Sequence, residues 1–133
     1  DEATSGLDPV VRNEILDVFL DFIQDERHSI LLSSHITSDI ERIADYITFI
    51  HDGEIVFSQS KDLLLEEYGI VHCTEKDLDQ IDPTLIVGIR KSQFSCEALV
   101  QEKKTLQRRF RDLVIDNATL ESIMLFYVRG ESK

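Results

Sequence analysis

An Asp-Pro pair at positions 8 and 9 marks a helix start, and the spacing behind it limits what the chain can fold into. An Asp carboxylate accepts backbone N–H groups at a helix N-cap, and proline suits the first helical position, where its missing N–H costs nothing. From Val10 onward the apolar residues Val11, Ile15, Val18, Phe19, Phe22 and Ile23 recur at helical spacing, with Arg12, Glu14, Asp17, Asp21 and Asp25 opposite. The pattern predicts a helix that buries a broad stripe and ends near Glu26. Ser29-Ile30-Leu31-Leu32-Ser33 then reads as a short buried parallel strand. With a strand ending at Glu2, these elements describe one βαβ crossover. Such crossovers are right-handed and leave both strand ends on one edge of the sheet. Ligands of α/β sheets bind outside that carboxyl edge. His35, just beyond Ser33, is therefore expected beside Asp1 and Glu2.

Farther on, Ser38-Asp39-Ile40-Glu41 has the form of a capping box, opening a helix that turns Ile40, Ile43 and Ala44 inward. Tyr46 to Ile50 and Glu54 to Phe57 read as antiparallel strands around a tight Asp52-Gly53 turn. Ser60 caps a short helix that runs to Tyr68. Gly69 looks like a boundary, because the alternating helix–strand order gives way to shorter elements. These are a strand at Ile70–Cys73, a helix from Lys76 to Ile81, and strands at Leu85–Lys91 and Cys96–Val100 around a Ser92-Gln93 turn. A helix from Glu102 to Phe110, a brief strand at Leu113–Ile115 and a last helix capped by Asn117 complete the reading. The expected core of this second part is Ile86, Val87, Leu99, Leu113, Ile115, Leu120, Ile123 and Tyr127. Residues 1–68 and 69–133 are thus expected to form an α/β part and a small separable α+β region.

With 133 residues, 42% of them hydrophobic, the chain can bury one core. Its formal net charge of −12 argues against nucleic acid and anionic lipid as direct partners, since both require a basic face. No apolar run approaches the roughly 18 residues of a membrane span. Cys73 and Cys96 lie far apart and follow no metal-binding spacing, which suits a reduced setting better than a disulfide framework. His28, His51 and His72 stand without ligand spacing and read as surface or structural residues. Ser92, Ser95 and Cys96 have no base at useful spacing, so nucleophilic catalysis has no support. The basic run Lys103, Lys104, Arg108, Arg109 and Arg111 reads most simply as a solvated face that pairs with neighbouring acids.

The run Asp1-Glu2-Ala3-Thr4-Ser5-Gly6-Leu7-Asp8-Pro9, followed one crossover later by Ser33-Ser34-His35, resembles the ATPase subunits of ABC transporters. Asp1-Glu2 resembles the end of the Walker B motif, Ser5 to Asp8 the D-loop, and His35 the switch histidine. Asp52-Gly53-Glu54-Ile55-Val56 resembles the strand–turn–strand that follows. Ala118 to Met124 resembles, more weakly, the ending of export-type subunits. The resemblance implies the C-terminal part of a P-loop NTPase sheet-and-helix domain over residues 1–68, followed by an accessory region. It implies ATP and Mg²⁺ as cofactors. Asp1 would hold Mg²⁺ through a water, Glu2 would act as general base, His35 would contact the γ-phosphate, and Ser5, Gly6, Leu7 and Asp8 would form a dimer contact. The implied partners are a transmembrane permease subunit and a second ATPase subunit, at the cytoplasmic face of the membrane. No GxxxxGK[ST] stretch occurs, and the five glycines are too scattered to build one. The family's signature segment and glutamine loop are missing as well. The chain is accordingly expected to be a piece of a longer ATPase, starting inside a motif, and not to turn over ATP by itself. The alternative is a regulatory or dimerisation module without catalysis, with the segment from Gly69 as its working part.

Overall fold

A computed structural model describes residues 1–132. The chain is α/β and divides into two compact units, Asp1–Asp45 and a second that begins at Tyr46. The expected division at Gly69 lies inside the second unit.

The first unit holds two helices, α1 (Pro9–Phe22) and α2 (Thr37–Ile43). Asp8 caps α1 as its chemistry dictates, its Oδ1 accepting from the N–H groups of Val10 and Val11. The helix stops at Phe22, short of the expected Glu26. Asp25 ends it by drawing the following chain into a turn: its carboxylate accepts from the Arg27 backbone N–H and guanidinium, and its carbonyl from His28 N–H. The His28 ring stacks on Phe22 with centroids 4.3 Å apart. The expected buried stripe is a correction too. Of α1, only Leu16 is buried, while Val11, Val18 and Phe22 are exposed.

The strand expected at Ser29–Ser33 is not formed, and with it goes the parallel sheet of the sequence reading. The segment pairs with no other strand among the described residues. A strand needs a neighbour to satisfy its backbone groups, and among the described residues its only backbone bond of this kind is Glu2 N–H donating to the Ser33 carbonyl at 2.8 Å. Leu31 is accordingly fully exposed at 101%. The capping box expected at Ser38 also fails. The α2 N-cap is Ile36, without a side-chain bond, and Ser38 falls inside the helix, past the cap position.

The second unit opens with a hairpin of β1 (Tyr46–His51) and β2 (Glu54–Ser60). Asp52 and Gly53 both have positive φ, 50° and 79°, as a tight two-residue hairpin turn demands. Ser60 caps α3 (Lys61–Glu67) by accepting from Leu63 N–H. A four-stranded antiparallel sheet follows, made of β3 (Gly69–Cys73), β4 (Ile86–Lys91), β5 (Cys96–Val100) and β6 (Val114–Asn117) in the order β4-β5-β3-β6. Two short helices, α4 (Glu75–Leu78) and α5 (Lys103–Arg109), fall between β3 and β4 and between β5 and β6. The result is a split βαββαβ unit, ferredoxin-like in strand order. Alternation along the strands sends Val71, Cys96, Ala98 and Val100 to one face, where they meet Leu78 of α4, Ile81 and Leu106 of α5.

The closing helix α6 (Leu120–Arg129) lies on the other face. Its cap is Thr119, in a reciprocal box with Ser122, rather than the expected Asn117. Arg90 of β4 stacks over Phe126 of α6, its guanidinium carbon 5.7 Å from the ring centroid. Of the expected core, Leu99, Leu120 and Ile123 are buried, whereas Ile86, Val87, Leu113, Ile115 and Tyr127 are half-buried. Gly88 is where α6 comes closest to the sheet. A Cβ there would stand 2.8 Å from the Phe126 carbonyl oxygen and 3.1 Å from Gly130 Cα, both backbone atoms that cannot swing away. Gly88→Ala is therefore expected to cost about 1–3 kcal/mol through overpacking, read as a lower denaturation midpoint at unchanged m-value. An unchanged midpoint would show that α6 does not press on this strand.

Candidate functional site

The first unit gathers the acidic start of the chain and the segment around His35 into one place. The Glu2 N–H bond to the Ser33 carbonyl is the anchor. On either side of it the side chains pair: Ser33 Oγ donates to the Asp1 carboxylate, and His35 Nδ1 lies 2.8 Å from Glu2 Oε2. The three expected catalytic and metal-site residues, Asp1, Glu2 and His35, are thus brought together. Asp1 and Glu2, though adjacent in the chain, thus take different partners. Glu2 has φ 51°, a left-handed conformation uncommon for any residue but glycine. Backbone strain of this sort costs about 1–3 kcal/mol and persists where the surroundings enforce it. Here the enforcing contacts are the Ser33 bond, the His35 contact, and Ser5 N–H donating to the Glu2 carbonyl at 3.1 Å.

Both groups of the Glu2–His35 pair are reachable from solvent, with side chains 39% and 73% exposed. With Nδ1 against the carboxylate, the Nε2 atom has no hydrogen-bond partner among the described residues. The pair can therefore present a carboxylate oxygen and an imidazole nitrogen to one bound group. Asp1 and Ser33 add hard oxygen donors beside it. Among the described residues no three His, Cys, Asp or Glu side chains converge to hold a metal ion. A divalent cation bound here would need its remaining ligands from water or from a bound molecule, as Mg²⁺ commonly does.

Ser5, Gly6 and Leu7 form the exposed-to-half-buried turn between Glu2 and α1, and Gly6 takes the positive φ of 74° that the turn requires. Asp8 is occupied as the helix cap. Beneath this turn lies a buried polar group that sequence reasoning missed. Thr4, 1% exposed, donates from Oγ1 to Asp39 Oδ2 at 2.8 Å. Arg12 Nε, which makes no hydrogen bond itself, lies 3.5 Å from the other Asp39 oxygen. Arg42 ties α2 to α1 through Asn13 at 2.6 Å and Asp17 at 2.5 Å. No local pattern marks Asp39 as buried, because its partner Thr4 lies 35 residues away in the chain.

Removing the threonine hydroxyl leaves Asp39 with a buried lone pair unsatisfied, a loss of about 1–3 kcal/mol. Thr4→Val is thus expected to lower hydrogen-exchange protection across α1 and α2 while leaving the four-stranded sheet unaffected. Equal protection in both proteins would remove the Thr4–Asp39 bond from its role.

No family model matches the chain. Curated relatives do. A putative ABC transporter ATP-binding protein of Mycoplasma pneumoniae is 37% identical over 70 residues, which cover 52% of this chain and 22% of that protein. The lantibiotic transport ATP-binding protein SrtF of Streptococcus pyogenes is 40% identical over 62 residues, 47% of this chain and 27% of its own length. The ABC transporter ATP-binding protein YtrB of Bacillus subtilis is 38% identical over 68 residues, 51% and 23% of the two chains. About half of this chain is therefore similar in sequence to ABC transporter ATP-binding proteins, and the chain spans roughly a quarter of the length of these relatives. No helix among the described residues is long and apolar enough to cross a membrane.

Proposed function

We propose that this chain is part of the ATP-hydrolysing subunit of an export-type ABC transporter, and that it supplies the general base and the switch histidine of that subunit. The observation that carries the reading is the Glu2–His35 contact at 2.8 Å, with Asp1 and Ser33 paired alongside. The relatives' names support it, as ATP-binding proteins of transporters.

The geometry supports a role for each residue. Glu2 is the base: its carboxylate is exposed, ionisable and held in a strained backbone position, so it can orient a water and accept its proton. His35 fixes that carboxylate through Nδ1 and offers Nε2 to a phosphate oxygen of the substrate ATP. Asp1 would hold Mg²⁺ through a water, with Ser33 keeping its carboxylate in place. Mg²⁺, when bound, neutralises charge on the phosphates. Ser5, Gly6 and Leu7 form an exposed turn suited to contact with a second ATPase subunit, and Asp8 holds that turn to α1. The 133 residues contain no GxxxxGK[ST] cradle. In this reading the cradle and the signature segment belong to other parts of a longer protein, and the chain alone does not hydrolyse ATP. The subunit would work on the cytoplasmic face of the membrane against a permease subunit.

Residues 69–133 are proposed as an accessory α+β region after an ATPase part at 1–68. The support is a hydrophobic cluster that draws on Val71, Leu78, Ile81, Ile89, Cys96, Ala98, Val100 and Leu106, all beyond Gly69. That self-contained sheet is also what the reading as a regulatory or dimerisation module would rest on.

The discriminating experiment is Glu2→Gln in the longer protein. Hydrolysis is expected to fall by about 10²–10⁴, because an acid/base partner is lost, while ATP binding is retained. Turnover within a few-fold of the unaltered protein would remove Glu2 as the base and leave the non-catalytic module as the better reading.

A further inference from the structure

In the antiparallel ladder of β3 and β5, Cys73 stands directly opposite Cys96. Opposed residues share a face of the sheet, with Cβ atoms about 4.5–5.5 Å apart. A disulfide wants about 3.5–4.5 Å between them, so the two side chains are within about an ångström of bonding geometry. Both are free thiols, and they are the two cysteines of the chain, so neither has a competing partner. The Cys73 thiol already leans across the ladder, its Sγ 3.8 Å from the Cys96 carbonyl oxygen. The pair sits at the end of the ladder. Cys73 is the last residue of β3, before the chain leaves for α4, and Cys96 is the first of β5, after the Ser92–Ser95 turn. Terminal ladder positions open more readily than central ones, and a shift of that size is affordable there.

We propose that Cys73 and Cys96 are a latent cross-strand disulfide, which a low-molecular-weight disulfide of the glutathione class closes to staple β3 to β5 with the native sheet retained. Half-buried Cys73 is the entry point, since Cys96 is buried. Its thiolate attacks one sulfur of the reagent disulfide. A Cys73–reagent S–S bond forms, the reagent S–S bond breaks, and the departing thiolate takes up a proton. Cys96 then gives up its proton and attacks Cys73 Sγ. The Cys73–Cys96 bond forms and the second reagent thiol leaves. The protein loses two electrons and two protons, and one reagent disulfide becomes two thiols.

The surroundings set the rate. Burial, and then the neighbouring Cys96 and Asp77, push the Cys73 thiol up to about 12, and burial raises Cys96 as well. The thiolate is the nucleophile, so the dithiol resists oxidation at neutral pH. Closure should speed up about tenfold per pH unit below the Cys73 value. This device is independent of the proposed ATPase chemistry, which lies in the first unit.

The test exposes the whole chain to oxidised glutathione at mildly alkaline pH, quenches with acid, and alkylates remaining thiols under denaturing conditions. The expected product is about 2 Da lighter, takes up no alkylating reagent, and yields a non-reduced peptide joining the segments of Cys73 and Cys96. Its Tm should be several degrees higher, and a dithiol reductant should reverse the gain. Cys96→Ser should instead stop at a stable glutathione adduct on Cys73. Three results would overturn the proposal: an adduct that persists on Cys73 while Cys96 stays alkylatable, two alkylatable thiols after a time that oxidises the unfolded chain completely, or a cross-linked protein whose Tm falls.

Discussion

One backbone hydrogen bond, from Glu2 N–H to the Ser33 carbonyl, organises the first unit. It joins segments more than thirty residues apart in the chain, and every contact of the candidate site depends on it. It sets Glu2 beside His35 and Asp1 beside Ser33. The bond works together with the buried Thr4–Asp39 contact just below, which fixes the turn leading to Asp8. Glu2 keeps its positive φ because these constraints leave it little alternative. Strain at a residue with an exposed carboxylate is the kind of local exception that favours a chemical role over a structural one.

The placement of the site was legible in the sequence for a partly mistaken reason. The expectation that His35 meets Asp1 and Glu2 came from a complete βαβ crossover. The structure has the helix and the meeting point but no strand at Ser29–Ser33. The one surviving backbone bond is enough to set the register. Local chemistry was read best: Asp8 as a cap, Asp52-Gly53 as a hairpin turn and Ser60 as a cap need only nearest neighbours. What failed depends on partners that periodicity does not report. The α1 stripe has the spacing of a buried face, yet its members are half-buried at best, and the buried residue is Leu16, outside it. Asp39, a spacer position in the expected Ser38–Glu41 capping box, serves as a buried acceptor for Thr4. The strand order β4-β5-β3-β6 was likewise out of reach, because pairing between distant strands leaves no mark on local pattern.

The two units put their polar chemistry to different uses. In the first, the buried Thr4–Asp39 contact holds a turn beside the solvent-reachable Glu2–His35 pair. In the second, a compact sheet encloses an apolar cluster on one face and packs α6 on the other. Its buried hydrogen bonds tie elements together: the Tyr68 and Tyr127 hydroxyls meet at 2.6 Å, and Lys103 Nζ bridges the Leu65 carbonyl and Asn117. Desolvation and the Tyr68 contact raise the Tyr127 phenol above its usual value, so it stays a neutral donor or acceptor across the physiological range. The basic run on α5 is likewise partly consumed in structure, by the Lys103 bonds and the Lys104–Glu66 pair.

The proposal that Glu2 and His35 act as one catalytic unit is tested most directly by a double-mutant cycle on ATP hydrolysis by the longer protein. Residues that work through a shared contact are strongly non-additive. The account predicts that Glu2→Gln combined with His35→Ala is no slower than the slower single variant. Rate losses that multiply would contradict it, showing that the two side chains act independently and that their 2.8 Å contact has no part in the chemistry.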